Sequence, residues 1–169
     1  PSTIFEEAEI KFILLSVLNA LKEMHGCNFI HGGIQPGSIF LKKDGEPILM
    51  GFSSARWILA RRLGEDTSTL ITVYSPSEQY EPITEVRPAT DFYSLGATLY
   101  QCITHKEPVS AQNRLNAINR GESDPLILLS ELSGMTLSPS LTKAIDWMLK
   151  LHYSDRPQSV EELIALIDN

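Results

Sequence analysis

The chain has 169 residues, 43% of them apolar and 21% charged, with a formal net charge of −7. That length and composition suit a single globular domain over residues 1–169, and the acidic excess argues against binding to nucleic acid or to an anionic membrane. No Lys/Arg run is longer than Lys42-Lys43 or Arg61-Arg62, and no stretch approaches the ~20 apolar residues of a membrane helix. Cys27 and Cys102 stand outside any metal-ligand spacing and read as reduced thiols of a cytoplasmic protein. A start at Pro1 without Met, and with no secretory pattern, fits a fragment of a longer protein.

The first predicted element is an amphipathic helix over Ile4–Met24. Ile10, Ile13, Leu14, Val17, Leu18 and Leu21 recur at helical spacing, Thr3 and Glu6 form a capping-box pattern, and Gly26 supplies a stop. Ser38–Lys42 and Pro47–Met50 then read as two short strands around a Lys43-Asp44-Gly45-Glu46 turn. Residues Gly51–Pro88 show no sustained period and contain Gly64, Pro76, Pro82 and Pro88, which predicts a long ordered loop. Asp91–Thr104 is apolar on most faces and reads as a buried helix. Shorter helices follow over Ala111–Asn119, Ser140–Leu151 and Ser159–Ile167, the last capped by Ser159 with Glu162 three residues on. The fold class is therefore mainly α (α+β), with one small β-hairpin and one long loop.

The order of motifs resembles the C-lobe of eukaryotic-like Ser/Thr protein kinases, the bacterial ones especially. Phe29-Ile30-His31-Gly32-Gly33-Ile34-Gln35-Pro36-Gly37-Ser38 looks like the catalytic loop, normally His-Arg-Asp-hydrophobic-Lys-Pro-x-Asn. Gly51-Phe52-Ser53 stands in the place of Asp-Phe-Gly, and Tyr74–Tyr80 looks like the Ala-Pro-Glu region that closes the activation segment. Asp91-Phe92-Tyr93-Ser94-Leu95-Gly96 looks like the start of the central helix, and Ser154-Asp155-Arg156-Pro157 like the segment carrying the partner of the Ala-Pro-Glu glutamate. No segment reads as the N-lobe, since the first helix already matches the one that leads into the catalytic loop and no Gly-x-Gly-x-x-Gly occurs.

The resemblance also exposes departures. The family's catalytic Asp falls on Gly33, its Lys on Gln35, its magnesium-binding Asn on Ser38 and its magnesium-binding Asp on Gly51. Gly32 replaces the Arg that reads a phosphorylated activation loop, which leaves Thr67, Ser68, Thr69 and Thr72 as plain loop polarity. Phosphoryl transfer needs a proton acceptor and carboxylate-held magnesium, so four positions lose the chemistry that the motif carries. Asp44 and Glu46 lie in the hairpin turn, and nothing places Asp66. The matching structural positions are His31, Phe52, Glu78, Asp91 and Arg156, read as scaffold, with Glu78 and Arg156 implied to pair.

The expectation from sequence is a degenerate, pseudokinase-like domain that is not an enzyme and takes no cofactor or metal. It would act as an interaction scaffold through an upper face formed by Ile39, Phe40, Phe52 and Trp57, binding a protein partner or a second copy. The long loop and the helix Ala111–Asn119 are second candidates for docking. The runner-up readings are a residual nucleotide-binding or phosphotransferase protein and a fragment of a longer kinase-like protein.

Overall fold

A computed structural model describes residues 5–51, 59–60, 63–65, 70–80, 86–134 and 136–168. The first helix, α1, spans Glu7–Gly26. It starts three residues later than its apolar period suggests, because Glu6 is the N-cap and the Glu9 carboxylate accepts the Glu6 N–H at 2.8 Å. Thr3 lies outside the described residues. Ile10, Ile13, Leu14, Val17, Leu18 and Leu21 form the buried face. The helix ends with Cys27 donating to the Glu23 and Met24 carbonyls, and Asn28, at φ 56°, turns the chain away.

Strands β1 (Ile39–Leu41) and β2 (Pro47–Leu49) pair antiparallel, with Ile39 opposite Leu49 and Leu41 opposite Pro47. The turn closes through Lys42 N to the Glu46 carbonyl at 3.0 Å, and Gly45 takes φ +85°, a region that disfavours a side chain. The hairpin packs on α1.

Helix α2 spans Pro88–Thr104 and is buried from Ala89 through Tyr100. It begins three residues before the apolar stretch at Asp91, because Pro88 fits a first turn, where an N–H would have no intrahelical partner. The Thr90 hydroxyl accepts the Arg87 N–H at 3.2 Å, and His105, at φ 57°, ends the helix. Helix α3 spans Ala111–Asn119, α4 spans Pro139–Met148, and α5 spans Val160–Ile167.

Helix α4 packs closely on α2 at Gly96, where an added Cβ would lie 2.8 Å from the Met148 Cβ. Helix α5 packs on both α1 and α4. One hydrophobic core therefore joins α1, α2, α4 and α5, with Leu14, Leu18, Phe92, Leu95, Ile145 and Leu163 near its centre. The Asp146 carboxylate ties in the turn Leu129–Glu131 by accepting the N–H groups of Leu129 (2.8 Å) and Ser130 (3.0 Å). Among the described residues, no helix is long and apolar enough to cross a membrane.

Candidate functional site

The site is built around Asp91 in the first turn of α2. Its carboxylate is inaccessible to solvent and accepts three hydrogen bonds: His31 N–H at 2.9 Å, Gly32 N–H at 2.8 Å and the His25 Nε2–H at 2.9 Å. A helix N-terminus draws acceptors of this kind, and three donors converge on this one. The anchor fixes backbone, and the side chains of the loop then point where that backbone dictates.

His31 is itself fully buried. Its Nε2 donates to the Met50 carbonyl at 3.0 Å, and its Nδ1 accepts the Gly33 N–H at 3.3 Å. One donor and one acceptor define a neutral Nε2–H imidazole, and burial holds the ring pKa below its usual value of 6.5. His31 thereby clips the loop to the end of the hairpin. Gly32, at φ +70°, is held from the other side by Gln79 Nε2, which donates to its carbonyl at 2.9 Å. The loop end at 77–80 is thus tied directly to the loop at 31–38.

Glu78 lies in the same 3-10 turn, Ser77–Tyr80. Arg156 grips its carboxylate through both terminal nitrogens, at 2.7 and 2.9 Å, with both side chains almost wholly buried. Arg156 also donates to the carbonyls of Ala89, Lys150 and Leu151, which satisfies the whole guanidinium. The Thr90 hydroxyl adds a bond to Glu78 at 3.0 Å.

The remaining positions singled out in the sequence fall along the rim of this frame. Ser38 is buried, and its hydroxyl is used locally: it accepts the Gln35 N–H at 2.9 Å and donates to the Gln35 carbonyl at 2.8 Å. Gln35 precedes the 3-10 turn Pro36–Ser38. Gly33 is half-buried and Gly51 exposed, and neither carries a side chain. Asp44 accepts the Glu46 N–H, and Glu46 pairs with Lys42, all in the exposed turn. Phe40 is 56% exposed, with Leu41, Ile48 and Met50 also in solvent and Ile39 half-buried. Phe52, Trp57, Asp66, Thr67, Ser68 and Thr69 lie outside the described residues.

Sequence reasoning missed His25 and Gln79. His25 reads as an ordinary last-turn residue, yet it supplies the third hydrogen bond to Asp91 from 66 positions away. Gln79 sits in a stretch without periodicity and meets Gly32 across 47 positions.

Asp91 of α2 thus anchors a loop that is tied to a second segment carrying a buried Glu–Arg pair. The protein kinase domain family matches residues 1–165. The chain belongs to the protein kinase family. It is 28% identical to the serine/threonine-protein kinase PknA of Nostoc sp., an alignment that covers 97% of this chain and 28% of that protein. It is 30% identical to the serine/threonine-protein kinase PknK of Mycobacterium tuberculosis, over 88% of this chain and 13% of the relative. The solved structure "PpkA-294 apo form" superposes with a TM-score of 0.81 at 30% identity, covering 96% of this chain and 54% of that one. The chain thus spans less than a third of the length of these curated kinases. The bacterial-type resemblance and the mainly helical, kinase C-lobe-like fold are both met.

This membership corrects the expectation that the chain is not an enzyme. That expectation rested on the four departures at Gly33, Gln35, Ser38 and Gly51, together with Gly32 and the lack of a segment that reads as an N-lobe. The family match spans residues 1–165, nearly the whole of this chain, and the relatives are Ser/Thr protein kinases. The kinase family also implies a magnesium-bound nucleotide, and the residues at those four positions do not fit one. Gly33 and Gly51 offer no oxygen from a side chain, and the Ser38 hydroxyl is turned back onto Gln35. Among the described residues, no group of three or more His, Cys, Asp or Glu side chains could hold a metal.

Proposed function

We propose that this chain is the large lobe of a Ser/Thr protein kinase and that its part in that enzyme faces protein. It would hold the end of the activation segment and the adjoining helix α3 as a regulatory scaffold for a protein partner or acceptor. The observation that carries this reading is the double tie on residues 77–80. Glu78 is fixed to Arg156, and Gln79 to the Gly32 carbonyl, whose peptide neighbours are fixed to Asp91. A segment with such ties presents its outer face in one geometry, and preorganisation of that kind lowers the cost of binding.

A thermal-shift titration with ATP and ADP, with and without magnesium or manganese, tests whether nucleotide acts at this lobe. It would be paired with label transfer from ATP to a protein acceptor. A bound ligand raises stability by RT ln(1 + [L]/Kd), ~2.7 kcal/mol at a hundredfold excess over Kd. A metal-dependent shift with label transfer would locate phosphoryl chemistry here on groups other than those at 33, 38 and 51. Binding of protein without a nucleotide shift is the result expected of a protein-facing lobe. Failure of both would overturn the proposal.

A further inference from the structure

The buried Glu78–Arg156 pair does not stand alone, because a second buried arginine leans on the same stretch of backbone. Arg114, on α3, is 3% exposed. Its Nε and Nη2 fork onto Asp124, the shortest contact being 2.7 Å. Its Nη1 donates to the Tyr93 phenol at 3.2 Å and to the Leu149 carbonyl at 2.8 Å. Arg156 donates to the next two carbonyls, Lys150 at 2.7 Å and Leu151 at 2.6 Å, and its guanidinium lies 4.8 Å from the centre of the Tyr93 ring. The Ser77 hydroxyl also donates to the Leu151 carbonyl, at 2.9 Å.

These three carbonyls follow directly on α4, which ends at Met148. A helix C-terminus leaves carbonyls without intrahelical donors and carries partial negative charge, so it attracts guanidinium groups. Here the attraction is divided between two arginines that come from opposite sides. One carries the Asp124 loop and α3, and the other carries Glu78. Tyr93 lies between them, with its ring toward Arg156 and its hydroxyl toward Arg114. Burial pushes the Tyr93 phenol up from its usual value, and its oxygen accepts a hydrogen bond from Arg114.

We infer that Arg114 and Arg156 work as a coupled pair across the strip Leu149–Leu151 and Tyr93, so that the seating of α3 and the Asp124 loop sets the seating of the Glu78 end of the activation segment. Helix α3 is placed to act as a lever. Its inner face holds Ala111, Arg114 and Ala117, while Asn113, Asn116 and Ile118 face solvent. A load on that outer face moves Arg114, and it reaches Arg156 through Tyr93, which touches both arginines, and through the consecutive carbonyls of residues 149–151. Coupling of this sort is reciprocal, so a change at Glu78 is felt at α3 by the same factor.

The test uses Asp124→Asn in the full chain, which keeps the shape and removes the charge that holds Arg114. Hydrogen exchange should accelerate by about fivefold or more in the amides of residues 72–80, which do not contact Asp124. Combined with Glu78→Gln, the unfolding constants should depart from additivity by about threefold or more. Arg120→Ala is the control, since it breaks only the exposed Arg120–Glu122 pair just past the end of α3 and should leave residues 72–80 unchanged. Acceleration confined to residues 111–128, additive constants, or an equal effect from Arg120→Ala would each overturn the inference. Should Asp124→Asn fail to fold, Arg114→Lys serves in its place, because lysine keeps the charge but not the forked contact.

Discussion

The two ends of the lobe are held by different physics. At the base, where α2 meets residues 77–80 and 149–156, the buried Glu78–Arg156 pair is charged and its hydrogen bonds are met within the chain. At the hairpin end Ser38 bonds locally to Gln35, His31 reaches the Met50 carbonyl, and the side chains of Phe40, Ile48 and Met50 stand in solvent. The base is therefore brittle, in that losing one partner strands another in a dry site. The hairpin end is tolerant, because its side chains have little left to lose.

The sharpest way to break the contrast is Arg156→Met. The change removes the two Glu78 contacts and leaves that carboxylate buried with, among the described residues, only the Thr90 and Ser77 hydroxyls beside it. Equilibrium denaturation should show a loss of about 3–5 kcal/mol. Replacing both members of the pair by apolar residues should recover part of that loss. A loss below about 1 kcal/mol for the single change would mean that water reaches Glu78 and the base is not dry.

Gly96→Ala should be next. Its new Cβ would fall 2.8 Å from the Met148 Cβ, and neither atom is the free end of a flexible chain. Helices α2 and α4 must then separate, at a cost of about 1–3 kcal/mol. Gly96→Ala combined with Met148→Ala should not relieve the clash, since the contact is with Cβ; Gly96→Ala with Met148→Gly should. A protein with Gly96→Ala that melts like the parent would contradict the close approach.

His31 sharpens the comparison through pH. Burial depresses its folded pKa below the unfolded value of 6.5, so the unfolded state binds the extra proton. Its contribution to stability is then complete above about pH 6.5 and is lost as pH falls from there toward the folded pKa. A new proton on Nδ1 would also face the Gly33 N–H, which now donates to that atom. Denaturation midpoints between pH 7 and 5 should fall more steeply for the parent than for His31→Gln, which has no charge to gain. Parallel pH profiles would show that the imidazole titrates as it does in water.

The way these features could be read from sequence follows the same division. Helix α3 was legible at both ends, because Ser110 caps it locally and Gly121, at φ +79°, closes it locally. For helix α4 the apolar pattern predicts an end at Leu151, three residues past the observed Met148. The sequence pattern continues, but the carbonyls of 149–151 are taken by Arg114, Arg156 and Ser77 from elsewhere in the chain. Asp91 and His31 were recognisable only through a family resemblance, and His25 and Gln79 not at all, since their partners lie tens of residues away. The expectation of a non-enzyme failed for a related reason. It gave weight to a few departures and to an N-lobe that could not be read, while the family match extends over residues 1–165.

The smallest effect should come from the tolerant end. Phe40 lies opposite Ile48 across the hairpin, so the two share one face, and they are 56% and 37% exposed. Phe40→Ser gives up a cross-strand contact worth about 0.2–1 kcal/mol and little buried area. Denaturation of the dilute chain should therefore shift by no more than about 1 kcal/mol. Sedimentation at rising concentration then asks a separate question of the same variant. If this face meets a second copy, the parent should gain mass with concentration and Phe40→Ser should not, at nearly equal stability. A loss above about 2 kcal/mol in the dilute chain would mean instead that the Phe40 ring is covered from within, and the two ends of the lobe would no longer differ in kind.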